Sequence, residues 1–335
     1  MRKLLMVLMA FGLIILAACG SGNSSESESE NESTDSDNGD GEVYLIGATQ
    51  IVEHPSLDAA TEGFKEALAD AGLNVEIDFK SAQNDQNNVK PISDSFVADG
   101  VDLIFANSTP SALGALQATK DIPIVFTSVT DPIDAKLVDS MEEPGGNVTG
   151  VVDLHPEAID STVQFIAKYF PNATVGMVYN AGEQNSVTQI NTVKEAAEGT
   201  GLTIVERTVA NTSEVQQATL TLVEDVDVIY IITDNTVVSA LDSVVSVAND
   251  HKIPLVVGEP DSLAKGGFAT FGIDYKTIGY RSGEMAAQIL KGEKTPSEIP
   301  VEYPPELQLY INKTAAEAQG VEWHPDWDED AEFIE

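Results

Sequence analysis

"DGVDLIFANSTPSALGAL" (residues 99–116) and "EDVDVIYIITDNTVVSAL" (residues 224–241) are two versions of one pattern. Each opens on an acid, passes through Val-Asp into a near-continuous apolar run, breaks into short polar side chains and resumes with helical spacing. Such runs read as strands buried on both faces, as in a parallel sheet covered by helices. The flanking segments repeat as well. "VYLIGAT" (43–49) corresponds to "ATVGMVYN" (173–180), "LNVEIDF" (73–79) to "LTIVERTV" (202–209), and "KDIPIVFTSVTDP" (120–132) to "HKIPLVVGEPDS" (251–262). The helical segments "SLDAATEGFKEALADAG" (56–72) and "NSVTQINTVKEAAEGTG" (185–201) occupy matching places, and "NNVKPISDSFVADG" (87–100) reads as a helix broken or started at Pro91. Two copies favour a pair of lobes over a solenoid, which needs more repeats.

The predicted fold is therefore α/β: two doubly wound parallel-sheet lobes joined by a hinge. The Gly-rich "EEPGGNVTGV" (142–151) is the hinge candidate, with a second crossing near "GGFATFGID" (266–274) and a helix over 275–292 returning to the first lobe. The expected division is lobe 1 over 43–150 plus about 273–300 and lobe 2 over 151–272 plus about 301–322, followed by an acidic tail at 323–335.

The chain has a single cysteine, Cys19, which excludes an internal disulfide framework. Arg2 and Lys3 precede an uncharged, mostly apolar run, Leu4 to Ala18, that ends in two alanines. This is the order of a secretory signal, residues 1–18, and it falls short of the roughly 20 residues a spanning helix needs. Residues 19–42 carry eight acids and no base among Ser, Gly and Asn, the composition of a disordered acidic tether. Cleavage after Ala18 would leave 15 bases against 55 acids, a formal charge of −40. Nucleic acid and anionic headgroups are poor partners for such a surface. A saline or alkaline habitat would account for the acidity, and so would solubility alone.

Ligands of open parallel α/β sheets bind beyond the carboxyl ends of the strands. Six such loops are visible: "TQIVEHPSLD", "NSTP" and "TSVTDP" in the first half, and "NAGEQNS", "TDNT" and "GEPDS" in the second. Their Ser, Thr, Asn and Asp residues are also ordinary helix N-caps, and for any one residue capping is the commoner role. The matched density in both halves is what points to a shared cleft. Asp234 and Glu259, each at a strand end, are the acids placed to meet a ligand ammonium. Catalytic constellations are scarce. No phosphate-binding Gly-Lys loop, Gly-x-Gly-x-x-Gly or Gly-x-Ser-x-Gly element occurs. His54, His155 and His324 precede proline and none of the four histidines stands in a metal-binding spacing, so no enzyme, cofactor or metal is expected.

Taken in order, "TPSALGA", "IPIVFTSVTDP", "LVDSMEEPGGNVTGV", "EQNS", "TDN" and "GEP" resemble the substrate-binding lipoproteins of ABC importers for aromatic amino acids. The resemblance runs from about Val43 to Val321, and "DPIDAKLVDS" followed by "PGGNVTGV" is its most specific part. It implies a type I periplasmic-binding-protein fold, no catalysis, a monomer, and a permease with its ATPase as partners. It also implies lipid on Cys19, which matches the Leu-Ala-Ala-Cys order, and so a membrane-anchored protein on the outer face of a Gram-positive-type cell, its lipid a palmitate-class acyl chain. Carried onto this chain, Ser108, Thr109, Thr127, Ser128 and the backbone at Val129 would hold the ligand carboxylate. Asn185, Asp234, Asn235 and Glu259 would close from the other lobe, with Gln50 and Ile51 bordering the side-chain pocket and Tyr179 or Phe271 supplying an aromatic wall. The ligand implied is Trp, Tyr or Phe. Two other classes fit the residues less well: an extracytoplasmic sensor feeding a membrane receptor, and a secreted α/β hydrolase.

Overall fold

The computed structural model describes residues 43–334. The signal segment, Cys19 and the tether lie outside the described residues.

The first lobe is built from β1 (Val43–Gln50), α1 (Pro55–Asp70), β2 (Asn74–Ser81), α2 (Gln86–Asp99), β3 (Leu103–Asn107), α3 (Thr109–Ala118), β4 (Ile124–Val129) and β5 (Val148–Val152). Its sheet runs β2-β1-β3-β4-β5, every pair parallel. The second begins with α4 (Ala158–Tyr169), β6 (Thr174–Asn180), α5 (Gln184–Ala197), β7 (Thr203–Val209), α6 (Val215–Leu220) and β8 (Val228–Ile231). There follow α7 (Asn235–Val238), α8 (Leu241–His251), β9 (Leu255–Val257), α9 (Pro260–Lys265) and β10 (Ala269–Gly272). The chain then passes through α10 (Tyr275–Leu290) and ends in β11 (Gln308–Asn312), α11 (Lys313–Ala318), α12 (Trp327–Asp330) and β12 (Glu332–Ile334). The sheet order β12-β11-β10-β9-β8-β6-β7 contains the first lobe's order in β7-β6-β8-β9-β10. The repeat is thus a repeat of topology.

The Val-Asp of the opening motif has a physical task in both copies. The Asp102 carboxylate accepts from the backbone N of Leu45 at 2.7 Å, and Asp102 N donates to Leu45 O at 2.7 Å. Asp227 repeats the exchange with Thr174, at 2.8 Å each way. Each aspartate clamps the start of the central strand to its neighbour before pairing proper begins. Beyond the clamp the strands are apolar on both sides, and each sheet has a buried cluster on each face. Phe64, Phe105 and Met285 lie on one side of sheet 1, with Phe96, Ile104 and Phe126 on the other; Met177 and Trp327 against Val178 and Leu263 make the same division in lobe 2. Helix α2 runs continuously through Pro91, capped by the Asp85 side chain and ended by Gly100 at φ +70°. Pro91 is the sixth residue of the helix, beyond the first turn, so it forgoes the bond to the Asn87 carbonyl, a loss the helix absorbs without ending.

Three crossings join the lobes, after β5, after β10 and before β11. Gly145 and Gly146, at φ +68° and +54°, do not form the hinge: they turn the chain into β5, which pairs with β4 inside lobe 1. The first crossing falls after Val152, two residues beyond the expected boundary. Val152 N donates to Glu302 O at 2.9 Å and Val301 N to Met141 O at 2.7 Å, so lobe 1 also keeps the returning chain to Glu302. Helix α10 packs on α1 at a crossing of glycines, Gly63 against Gly279 and Gly283. The expected acidic tail is a packed element. Trp327 is 1% exposed, among Phe165, Phe268 and Trp323, and β12 pairs in parallel with β11. The aromatic residues spaced among its acids find apolar partners, and their burial outweighs the charge around them.

Candidate functional site

Between the lobes lies a narrow cavity. Lobe 1 lines it with Val52, His54, Ser56 and Leu57 from the β1–α1 connection and with Ser128 and Thr130 from the end of β4. Lobe 2 contributes Asn185 at the start of α5, Thr233, Asn235 and Val238 after β8, and Glu259 after β9. Asp153 and Tyr275 stand on the crossings themselves. A second, narrower recess shares Asp153 and Thr233 and is lined in part by Tyr230, Phe271 and Ile159.

Four buried polar atoms at the larger cavity have no partner in the protein: His54 Nε2, Ser128 Oγ, Asp153 Oδ1 and Asn185 Oδ1. Buried polar atoms are nearly always paired, and leaving one unpaired costs about 1–3 kcal/mol. The backbone is strained nearby too. Ser128 sits at φ +55° in a bulge where the β4–β5 register shifts, and Ser108 at φ +141° caps α3. Non-glycine residues held there cost about 1–3 kcal/mol and concentrate at ligand sites.

The lobes touch directly. The Ser56 hydroxyl lies 2.6 Å from both Glu259 Oε2 and Asp261 Oδ2 across the cleft, and its one proton serves one of them at a time. Gln189 Nε2 donates to Thr130 Oγ1 at 3.1 Å, and Asp134 accepts from Gln184 Nε2 at 2.7 Å and from Thr188 Oγ1. This is the arrangement of a closed cleft.

Of the residues expected from the sequence, the fold brings Ser128, Asn185, Asn235 and Glu259 to the cavity. The others are placed elsewhere. Gln50 is fully buried and satisfied by Val52 O, Asp58 and Thr61, while Ile51 packs against Leu57, Ala82 and Val89. Ser108 caps α3 through Ser111 N, Thr109 Oγ1 accepts from Thr130 N, Thr127 is buried in β4, and Val129 belongs to the core. Tyr179 turns away to donate to Glu206 at 3.0 Å. His54 stands at the N-cap of α1 without a side-chain cap bond; burial lowers its pKa although Glu259 opposes the shift.

Asp234 does not line the cavity. Its carboxylate accepts from Asn180 N, Ser186 Oγ and Val237 N, all at 2.7 Å, so it is a cap and a clamp. Burial first, and Glu183 beside it, push its pKa up to about 7 from 3.8. Below pH 3.8 the group is protonated folded and unfolded alike and contributes nothing. Between there and pH 7 the unfolded chain releases the proton and the folded chain keeps it, so this group lowers stability by about 1.4 kcal/mol per pH unit as pH rises. Above pH 7 the penalty is complete. Asp234→Asn should therefore flatten the fall of melting temperature between pH 4 and 7. An unchanged slope would assign the dependence to other groups.

Asp153 and Tyr275 lie outside the six loops the sequence singles out, whereas Thr233 opens "TDNT". Those loops follow three strands per lobe, and β5 and β10, which carry the crossings, also end at the cleft. The strand-end rule extended to these two strands reaches Asp153 and Tyr275. No cluster of three or more His, Cys, Asp or Glu among the described residues could hold a metal, and no helix among them is long and apolar enough to cross a membrane.

Residues 45–327 match the family described as ABC transporter substrate binding protein. The chain belongs to that family. It is 44% identical over 278 residues to a tyrosine-binding protein of Clostridioides difficile (strain R20291), covering 82% of this chain and 80% of the relative. The family's solved structures include an ABC domain in complex with L-Trp from Streptococcus pneumonia, 36% identical, with a TM-score of 0.83 over 88% of this chain and all of that one. A ligand-free, open substrate-binding protein with adhesive properties from Clostridium difficile is 40% identical over 87% of this chain and 99% of its own, yet its TM-score is 0.65. More distant solute-binding proteins share the fold alone, which is that of type I periplasmic binding proteins.

Proposed function

We propose that this protein captures an aromatic amino acid by lobe closure and presents it to an ABC permease, from a lipid anchor on Cys19 at the outer face of the membrane. The observation that carries the reading is the interlobe cavity, whose unpartnered polar atoms come from lobe 1, lobe 2 and the crossing between them. A ligand satisfying such atoms is held by groups that converge only in the closed form, so binding favours closure. The Ser128 hydroxyl offers a donor for the carboxylate and Asn185 Oδ1 an acceptor for an N–H of the ligand, and Phe271, Tyr230 and Tyr275 offer rings for the side chain. The related tyrosine-binding protein and the L-Trp complex support the ligand class. The anchor rests on the Leu-Ala-Ala-Cys order, and the acidic tether keeps the body near its permease.

The test is a thermal-shift screen of the chain from Glu42 against amino acids, nucleosides and sugars. Tyr, Trp or Phe at a hundredfold excess over its dissociation constant should add about 2.7 kcal/mol of apparent stability. A response to sugars or nucleosides in their place would discard the substrate, and loss of the full chain from the membrane should follow Cys19→Ser if the anchor is correct.

A further inference from the structure

We propose that Asp153 receives the ammonium group of the ligand and that Tyr275 positions it, so that the protein selects a primary amine at its hinge. This rests on the aromatic amino-acid reading and assigns the part of the site that recognises the amine.

Asp153 follows β5 at the first crossing, and its backbone N donates to Val129 O at 3.1 Å, which fixes it to the edge of sheet 1. Tyr275 opens α10 just after the second crossing, and its hydroxyl donates to Asp153 Oδ2 at 3.2 Å. One carboxylate oxygen is thus oriented by a phenol from a different crossing. The other, Oδ1, is buried without a partner, and the residue lines the interlobe cavity and the recess beside it. An amino acid in the cleft would find in this oxygen an unpaired acceptor for its ammonium.

The rival acids are already saturated. Glu259 accepts from Asp261 N, Ser262 N, Ser262 Oγ and Ser56 Oγ, which leaves it holding the start of α9 and the contact across the cleft. Asp234 is closed off behind α7 by its three bonds. No lysine or arginine lines either cavity. Tyr275 from α10 and Glu259 from the β9–α9 segment act on Asp153, Asp261 acts on Tyr275, and His54 in the same cavity feels Glu259, Asp261 and Asp58 against the single cation Lys265, which does not line the chamber, so acids predominate there. Such a chamber suits an ammonium and repels a second carboxylate. Burial, the largest influence, pushes the Asp153 carboxyl up to about 6; the Tyr275 bond works against the shift and Glu259 adds to it. Above that pH the group is ionised, and below it the attraction to an ammonium is lost.

Position adds a consequence for mechanism. Because Asp153 and Tyr275 both stand on crossings, an incoming amine meets them before the lobes close, and closure then adds Asn185 and Asn235.

The experiment is titration calorimetry at pH 7.5 on the chain from Glu42 with L-tyrosine and L-tryptophan. Each is paired with the hydroxy acid in which hydroxyl replaces ammonium, 4-hydroxyphenyllactate or indole-3-lactate. The wild-type chain should bind the amino acid about a hundredfold or more tightly than its hydroxy acid, as expected where a buried group is left unpaired. Asp153→Asn should weaken the amino acid by a similar factor and bring the pair within about tenfold of each other. Tyr275→Phe keeps the ring; it should weaken binding by about tenfold and move the midpoint of its loss at acid pH upward from about 6, a shift that a purely packing role would not produce. Equal binding of amino and hydroxy acid by the wild-type chain, or wild-type affinity in Asp153→Asn, would overturn the assignment and leave the importer reading standing. No heat from any of the four ligands would remove the aromatic reading and this assignment with it. The paired ligands decide the matter on the unmodified chain should a variant fail to fold.

Discussion

Trp327→Ala is expected to lower the stability of the protein by about 3–5 kcal/mol, the range for emptying a large buried aromatic site. Trp327 is 1% exposed and contacts Phe165 at 5.8 Å, Phe268 at 5.7 Å, Tyr169 at 5.0 Å and Trp323 at 5.3 Å between ring centroids. No neighbour can collapse into a hole of that size without moving β10, because Phe268 leads directly into it. The effect should therefore reach the site, since Phe271 of β10 lines the recess beside the interlobe cavity. Trp327→Phe keeps a ring and removes an indole N–H that has no acceptor, so it should recover most of the loss. Urea denaturation followed by far-ultraviolet circular dichroism measures both variants. A loss below about 1 kcal/mol for alanine would mean that the last dozen residues behave as the loose acidic segment their composition suggests.

That contrast shows what composition can and cannot convey. The final segment is dense in acids, yet Trp323, Trp327 and Phe333 decide its fate, because a packed ring contributes more than neighbouring solvated charges remove. The paired lobes, by contrast, were legible in detail, down to Asp102 and Asp227, since a duplicated chain repeats the residues that start each strand. The cleft was legible only where strand-end loops are polar. Glu259 and Asp234 look alike in sequence, each an acid at a strand end preceding a short helix. Their difference lies in whether the partners saturating the carboxylate lie behind it or across a cleft, and that is set by tertiary packing. Asp153 was hidden for another reason: it follows a fourth strand of lobe 1, and that this strand ends at the cleft and carries a crossing is set by its pairing with β4.

The second large effect is expected at the glycine crossing of α1 and α10, where Gly279→Ala should cost about 3 kcal/mol or more and weaken ligand binding as well. A Cβ at Gly279 would lie 1.9 Å from Ala60 O, and one at Gly63 would lie 2.2 Å from Lys276 O. These are backbone atoms, so the strain cannot be relieved by turning a side chain; the helices must separate. Overpacking of this kind lies at or beyond the upper end of the usual 1–3 kcal/mol. The two helices also carry opposite walls of the site at their N-termini, His54, Ser56 and Leu57 at the start of α1 and Tyr275 at the start of α10. Separation of α10 from α1 would draw the Tyr275 hydroxyl from Asp153, across a bond already 3.2 Å long. A control is at hand in Gly72, which follows α1 with nothing within 4 Å of an added Cβ but at φ +70°, so Gly72→Ala strains the backbone without touching the crossing. Denaturation and calorimetry of both variants separate the two consequences. Gly72→Ala should lose some stability and keep its affinity, whereas Gly279→Ala should lose both; retained affinity in Gly279→Ala would show that the helix crossing supports the fold without setting the distance between Tyr275 and Asp153.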